Sequence, residues 1–506
     1  MDDSYKFCII CGAKLQYEEE YKAPPLALLR KNNRISFLSD EYIRKVANII
    51  NMLFISYGVS AHVFNVTCGP VYTRYEIKPD PGVSIRNILG LVDDIKLHLA
   101  VEDIIVEAPI PNQTTIGFSI VNPSPSCIFL RDLLESEAFT SKKSVLSISV
   151  GKDMLGKNII ADVSEMPHLL IGGVTGSGKS MFIHSIILSI IYKANPQEVK
   201  LILIDTRSVE LSVYNGIPHL LFPVITDSNK VVRALKWACF EMNKRYQIFS
   251  SFRVNNIDAY NNLVGLEKND SSKLLCKLLI IIENISDILE LTGDSEKYLT
   301  QLAQYGRSVG IHIVLSSSFP CKRNLSMLIK SNLMSRISFH VATKSDSKVI
   351  LDKAGAEKLF PYGDMYFYPV NQTFPLRVHS AYVSYQEIQR IVNYLRNHTI
   401  YSENLFVENC ESMPLKKESK IQLDRDSVIE LDPYFAEAGA LVIQKNKASI
   451  GMLQRELKIG FNRADGIMKQ LTDCGVIRDE IGTMPGKILM TKEEFEEFIL
   501  KSNISF

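Results

Sequence analysis

No stretch of the 506 residues approaches the ~20 consecutive apolar positions of a membrane-crossing helix, so the sequence predicts no transmembrane span. The opening Met1-Asp2-Asp3-Ser4-Tyr5-Lys6 has none of the apolar character of a secretory signal. Neither sign of charge is in excess: 57 Lys and Arg stand against 56 Asp and Glu. A polyanionic partner is therefore not announced by the chain as a whole, and any basic surface must be local. The nine cysteines are scattered, mostly inside apolar runs, which suits free buried thiols in a reducing cytoplasm. Cys8-Ile-Ile-Cys11-Gly12 reads as half of a zinc knuckle, but a closed zinc site takes four ligands and no second Cys-x-x-Cys follows. Cys8 and Cys11 are candidate Zn2+ ligands if Cys68 or another chain completes the set; otherwise they are two thiols on an ordinary strand.

What the chain does contain is an ordinary globular composition, 46% apolar and 22% charged, and a length that suggests roughly three domains. One stretch organises the rest. Leu169-Leu-Ile-Gly-Gly-Val-Thr-Gly-Ser-Gly-Lys-Ser180 runs a short apolar strand into a glycine-rich turn, and an apolar helical pattern from Met181 to Ile191 follows. Gly173, Gly178, Lys179 and Ser180 have the phosphate-loop spacing. Glycines let the backbone of Gly173, Val174, Thr175, Gly176, Ser177 and Gly178 turn its N–H groups inward. The helix opening at Lys179, Ser180 and Met181 aims its N-terminal partial charge at the same anion. Lys179 reaches the β/γ-phosphates and Ser180 ligates Mg2+. The chain is expected to bind ATP.

In chain order, residues 1–21 are a tail or the half knuckle, and Lys22-Ala-Pro-Pro25 reads as a linker. A small α+β domain is expected over 22–149. It has a helix over Glu41–Ile55, a strand opening at Gly69, a turn at Pro79-Asp-Pro-Gly-Val83 and a helix over Ile88–Leu99. The nucleotide domain is expected over 150–400. Its apolar strands Leu201–Asp205, Leu278–Ile282, Ile311–Leu315 and Ile337–Val341 alternate with helices, which means a parallel sheet covered on both faces. Ligands then sit at the carboxyl ends of the strands, at Asp205, Glu283-Asn284 and Ser316-Ser-Ser318. Residues 401–426 read as a linker. Over 427–506 the pattern is helix, helix, tight turn at Ile459-Gly460, helix and β-hairpin, a winged helix-turn-helix. Six basic residues between Lys445 and Lys469 give it a local basic face, for DNA or for protein.

These residues resemble the FtsK/SpoIIIE family of double-stranded-DNA translocases. Gly69-Pro-Val-Tyr-Thr-Arg74, Pro81-Gly-Val83 and Val150-Gly-Lys-Asp153 are similar to its first motor subdomain. Met166-Pro-His-Leu-Leu170 leads into the phosphate loop as in the family. Glu210-Leu-Ser-Val-Tyr-Asn-Gly-Ile-Pro-His-Leu220, Glu241-Met242 with Arg245-Tyr246, Gly310-Ile-His312 and Ile350–Glu357 match closely. Glu430–Pro433 and Lys447–Arg463 resemble its terminal winged helix. The family's membrane-spanning N-terminal segment has no counterpart here. The resemblance implies an α/β, RecA-like P-loop motor with a small α+β domain before it and a winged helix after it. It also implies a homohexameric ring on duplex DNA, with ATP sites between subunits.

Against that family pattern several positions depart. The family's second nucleotide motif ends in Asp-Glu; here Glu283 takes the Mg2+-side place and Asn284 that of the hydrolytic Glu, with Asp287 fixing the register. An amide holds water but does not accept its proton. The phosphate-sensing Gln corresponds to Ser318 and the next Arg to Phe319, and Asp205-Thr206 replaces Asp-Pro. A displaced carboxylate, Asp205 or Asp287, would have to serve the water. Arg307 matches the family's arginine finger and Lys344 a second basic interface residue. In the reading helix Asn462 is kept, but the family's Arg and Glu correspond to Gly466 and Lys469. Lys447, Arg455, Arg463 and Lys469 would then grip phosphate rather than read bases. Two readings follow: a cytoplasmic translocase with an eroded hydrolytic site, or a non-hydrolysing, ATP-clamped DNA-binding or scaffold subunit, alone or in a mixed ring with a paralogue. Chromosome segregation, mobile-element transfer and phage packaging all use this architecture.

Overall fold

The computed structural model describes the chain apart from residues 1–5, 8–13, 16–20, 33–38, 111–112, 167, 268–273, 290–292, 319–326, 399–431, 446–448, 474–475, 479–486, 489, 492–493 and 496–506. Cys8, Cys11, Phe319, Lys447 and the segment 401–426 expected as a linker lie outside the described residues. Two compact units emerge, Met1–Pro414 and Leu415–Phe506. Among the described residues no helix is long and apolar enough to cross a membrane.

The first unit opens with an α+β part. Ser39 caps the helix Asp40–Ser56 by accepting the Tyr42 N–H, and Val46, Ile50, Leu53 and Phe54 on one face of that helix are buried. They meet Tyr75, Ile77 and Phe118 of a four-stranded antiparallel sheet built from Ala61–Cys68, Tyr72–Pro79, Ile116–Val121 and Ile104–Glu107, in that order. The strand expected from Gly69 starts at Tyr72, because Gly69 and Pro70 are used in a turn: the Gly69 N–H donates to the Tyr72 carbonyl at 2.8 Å. The single helix expected over Ile88–Leu99 is two, Ile85–Gly90 and Val92–Leu99. Gly90 weakens the first, while Asp93 and Asp94 favour a new first turn.

Nine strands form the large sheet: β1 (Ser147–Asp153), β2 (Asn158–Asp162), β3 (Leu169–Gly172), β4 (Val199–Asp205), β5 (Lys277–Glu283), β6 (Ile311–Ser317), β7 (Ser335–Phe339), β8 (Asp364–Tyr368) and β9 (Leu376–His379). Their order is β4-β5-β6-β3-β7-β8-β9-β1-β2. The five strands from β4 to β7 are parallel, as their unbroken apolar runs predict. The other four pair antiparallel, so the sheet is mixed rather than parallel throughout. Val150–Asp153, assigned by resemblance to the first subdomain, belongs to this sheet.

Alternate residues of the parallel strands feed opposite cores. Leu169, Ile171, Leu201, Leu203, Ile281 and Val314 pack with Ile183, Ile186 and Ile187 of the helix Lys179–Lys193. Leu170, Ile202, Ile204, Ile280, Ile282, Ile313 and Leu315 pack with Trp237, Ala238 and Met242 of the helix Ser228–Phe252. A buried polar knot ties the α+β part to the sheet. The Tyr72 hydroxyl donates to Asp364 at 2.9 Å, and Arg377 donates to Asp364 at 3.1 Å and to the Tyr72 oxygen at 3.1 Å.

The second unit carries the helices Phe435–Gln444, Ile450–Leu457 and Phe461–Asp473 and the antiparallel pair Ile477–Arg478 with Lys487–Ile488. Phe435, Ala438, Val442, Leu453, Ile467, Leu471 and Phe495 form its core. A Cβ on Gly439 would stand 2.2 Å from the Phe495 ring, so that helix position admits only glycine without a shift. Ser449 occupies the cap position of the second helix, but its side chain makes no capping bond.

Candidate nucleotide site

A cavity of about 590 Å3 opens at the carboxyl ends of β3, β4, β5 and β6. Its floor is the turn between β3 and the helix Lys179–Lys193: Thr175, Gly176, Gly178, Lys179, Ser180 and Met181 all line it. Strand ends add Asp205, Arg207, Glu210, Glu283, Asn284 and Ser318. The opposite wall holds Cys127, Ile128, Tyr362, His379 and Tyr382, which the sequence did not single out.

The turn is clamped from both sides. The Val174 N–H donates to the His340 carbonyl at 2.9 Å, and the Gly363 N–H to the Ser177 carbonyl at 3.0 Å. Gly173 and Gly178 sit at φ +154° and +113°, where a Cβ would come within 2.8 Å of Phe339 Cβ and of the Gly363 nitrogen respectively. Both glycines are therefore required twice over, by dihedral and by space. The Ser177 hydroxyl and Lys179 Nζ both donate to the Val174 carbonyl, at 2.7 and 2.9 Å. Burial pulls the Lys179 ammonium below its usual pKa, opposed by Glu283 and Glu210.

The acidic residues divide into engaged and available. Asp205 is 1% exposed; one oxygen accepts the Arg207 N–H at 3.2 Å and the other the Glu210 and Leu211 N–H groups at 2.9 and 3.0 Å. It organises the loop after β4 through these three bonds and also lines the cavity. Asp287 accepts two hydrogen bonds from Arg207, at 2.8 and 3.0 Å, and one from the Asn284 amide at 2.7 Å. Asn284 is 3% exposed at φ +61°, and its amide oxygen accepts the Ser318 N–H at 3.4 Å. Both ends of that amide are thus committed.

Glu283 is different. It is 9% exposed, and its Oε2 is buried with no hydrogen-bond partner. Burial drives its pKa up to about 7, with Glu210 and Asp205 adding and Lys179 opposing. A buried, unpartnered carboxylate oxygen in the same cavity as Lys179 and Ser180, above a glycine cradle that no Cβ fits, suits a magnesium–triphosphate group. A pKa raised from 4.5 to about 7 means the folded state holds the proton more tightly than the unfolded chain. The contribution is fully present below 4.5 and is lost as pH rises through 7. Metal-free protein is expected to lose up to ~3 kcal/mol of stability across that window, and Glu283→Gln to flatten the slope. Denaturation at roughly pH 5, 6, 7 and 8 measures it, and parallel slopes for both proteins would remove Glu283 as the cause.

The basic residues expected to act across a subunit boundary lie outside this cavity. Arg307 is exposed on the short turn Arg307–Val309 that precedes β6, and lines a second cavity with Asn255, Asp258, Tyr305 and His312 at the amino-terminal edge of the parallel strands. Lys344 is exposed at the start of the helix Lys344–Leu351, whose cap is a reciprocal Thr343–Asp346 box. In the second unit Arg455 is exposed. Arg463 donates twice to Asp432, at 2.8 and 3.0 Å, and lies over the Tyr434 ring. The pair lies at the surface, with the Arg463 side chain 46% exposed. The side chains of Asn462 and Lys469 lie outside the described set. Among the described residues no group of three or more His, Cys, Asp or Glu is placed to hold a metal ion on its own.

Two residues missed by motif reading stand in the cavity: Arg207, whose side chain is 56% exposed yet paired to Asp287, and Glu210. Glu210 was visible in the run Glu210–Leu220, but no periodicity gave it a role.

The FtsK/SpoIIIE family model matches residues 129–322, the FtsK alpha domain 23–122 and the FtsK gamma domain 430–491. The chain is 39% identical over 495 residues to the DNA translocase FtsK of Caldanaerobacter subterraneus, covering 97% of this chain and 67% of that one. It is 40% identical over 477 residues to the DNA translocase FtsK of Clostridium acetobutylicum, covering 94% and 61%. With the DNA translocase SpoIIIE of Bacillus subtilis it shares 36% over 486 residues, covering 95% and 60%. The chain thus spans about three fifths to two thirds of the length of these curated relatives. The pCW3 conjugation coupling protein TcpA, in monomer form with ATPγS, shares the fold at TM-score 0.50 and 18% identity, over 70% of this chain and 99% of that one. With its phosphate loop, mixed sheet and terminal winged helix, and with relatives matched over 94–97% of its own length, this chain belongs to the FtsK/SpoIIIE family.

Proposed function

We propose that the chain is an ATP-driven motor on double-stranded DNA, working in the cytoplasm as a ring, homohexameric or shared with a paralogue, whose nucleotide sites are completed by neighbouring subunits. One observation carries this reading. The phosphate cradle and Arg307 lie at opposite ends of the same strands, separated by roughly 20 Å along seven-residue β6. Arg307 therefore cannot reach the cradle of its own chain. A head-to-tail neighbour places it at the next cradle, and head-to-tail contacts close into rings.

Within one subunit the loop N–H groups and Lys179 hold the triphosphate. Ser180 and Glu283 would hold Mg2+, which would supply positive charge against the triphosphate. Asn284 and Ser318 shape the wall facing the γ-position. Phosphoryl transfer leaves the protein little covalent work, so positioning and charge carry most of the rate even where a carboxylate base is absent. Arg307 and Lys344 act from the neighbour. The winged helix grips DNA phosphate through Lys447, Arg455, Arg463 and Lys469, with Asn462 at the groove.

Phosphate release, measured with and without duplex DNA, tests the reading. Turnover that rises with DNA and disappears in Lys179→Ala supports a motor. Tight ATP binding with no turnover on DNA would replace it with the non-hydrolysing, ATP-clamped subunit.

A further inference from the structure

Four carboxylates come near the cradle, and the structure has engaged two of them elsewhere. Asp205 accepts three backbone N–H groups, and Asp287 accepts from Arg207 and Asn284. Glu283 and Glu210 remain. Glu210 is held in place from below. Its own N–H is fixed by Asp205 at 2.9 Å. Its carboxylate lies 3.7 Å from Nε2 of His184, a residue 1% exposed on the helix that begins at Lys179.

His184 is itself oriented. Its Nδ1 lies 2.9 Å from the hydroxyl of fully buried Tyr214. Burial pushes the Tyr214 pKa well above its usual value, so the hydroxyl keeps its proton. Among the described residues Nδ1 is the partner of that buried hydroxyl, which donates to it. Nε2 then carries the imidazole proton and points it at Glu210. Glu210 lines the same cavity as Ser180 and Lys179. His184 foremost, and then the Ser180 hydroxyl and the Lys179 charge, hold it below the usual carboxylate range against the effect of burial.

We propose that Glu210 is the second carboxylate of the magnesium site. It is a positioning residue that takes the Ser180 hydroxyl proton as a hydrogen bond and so turns the Ser180 lone pair toward the cation. A serine oxygen binds Mg2+ through a lone pair, so its proton must point to an acceptor. Glu210 is that acceptor, and its negative charge adds to that of Glu283 at the cation. His184, hydrogen-bonded to Tyr214 at 2.9 Å and 3.7 Å from the Glu210 carboxylate, backs it there, as groups behind metal ligands orient them generally. This inference rests on the nucleotide reading above.

The test compares ATPγS binding by calorimetry in EDTA and in excess Mg2+, together with Mn2+ binding followed by electron paramagnetic resonance. Wild type is expected to bind more tightly with Mg2+. Glu210→Gln, which keeps the shape and removes the charge, is expected to lose ~10–100-fold of metal affinity. Its affinity in EDTA stays within about threefold of wild type or tightens, since a negative charge has left the triphosphate's surroundings. Tyr214→Phe removes only the donor to His184 and is expected to shift the same readout in the same direction by less. Unchanged metal affinity in Glu210→Gln overturns the proposal. So does an equal loss of binding in EDTA, because Glu210 would then only shape the loop. Failure of wild type to bind ATPγS under either condition would instead overturn the nucleotide reading beneath it.

Discussion

Arg307→Ala is expected to leave ATP affinity within about twofold of wild type and to cut DNA-stimulated turnover by ~10³-fold or more, the range of an arginine finger acting across a boundary. The side chain is exposed at the far end of the sheet from its own cradle, so its removal touches no binding contact there. Its turn, by contrast, is heavily braced. Arg245, 0% exposed, donates to Glu241 at 2.8 Å and to the Val309 carbonyl at 2.8 Å. The Tyr246 hydroxyl contacts the Tyr305 carbonyl at 2.8 Å and the Ser308 hydroxyl at 2.7 Å. So the helix Ser228–Phe252 holds the Arg307 backbone rigid while the guanidinium stays outside. Arg307→Lys keeps charge but not the planar fork, and should recover only part of the loss. Mixing gives the sharper result. Arg307→Ala and Lys179→Ala are each inactive alone, but equal parts of the two should regain about a quarter of the wild-type rate, since random neighbours pair an intact cradle with an intact finger at that frequency. No recovery on mixing would place Arg307 in its own subunit's structure and remove the observation that supports a ring.

Much of this was legible before any coordinates. The strand–turn–helix of Leu169–Ile191 is local: an apolar run, glycines at fixed offsets and a helical period, each readable within a dozen residues. The parallel strands β4, β5, β6 and β7 were readable because strands buried on both faces are apolar without alternation. The antiparallel half was not. β8 begins with buried Asp364, β9 contains Arg377, and these pair with each other and with Tyr72 across nearly three hundred residues. No window of sequence carries such a pairing. The site divides the same way. Lys179 and Ser180 follow from spacing, while the fates of Asp205 and Asp287 depend on which N–H groups and which arginine turn toward them. Arg207 was unremarked in the sequence, yet it is what removes Asp287 from consideration as a base. Arg463 reads as a DNA contact by its place in the reading helix; its partner Asp432 lies 31 positions earlier and is brought to it only by folding.

Asn284→Glu is expected to raise DNA-stimulated turnover by ~10²-fold, toward the 10²–10⁴ that a well-placed general base supplies. The same change should lower stability. Asn284 sits at φ +61°, a backbone region asparagine tolerates and glutamate resists by ~1–2 kcal/mol. It also gives up the 2.7 Å bond from its amide to Asp287 and sets two carboxylates side by side. That repulsion decides the direction of the functional effect. Asp287 is anchored by both hydrogen bonds from Arg207 and cannot yield. The longer glutamate must therefore swing away from Asp287, and the space open to it is the cavity that Asn284 already lines. Relief of the clash and delivery of a carboxylate toward the γ-position are then the same motion. Steady-state phosphate release and a denaturation midpoint, measured on the same preparation, separate the two effects. A variant that is destabilised as expected but turns over no faster would mean that the amide at Asn284 is not what limits hydrolysis, and that the rate is set instead by how the neighbour's Arg307 is brought to the cradle.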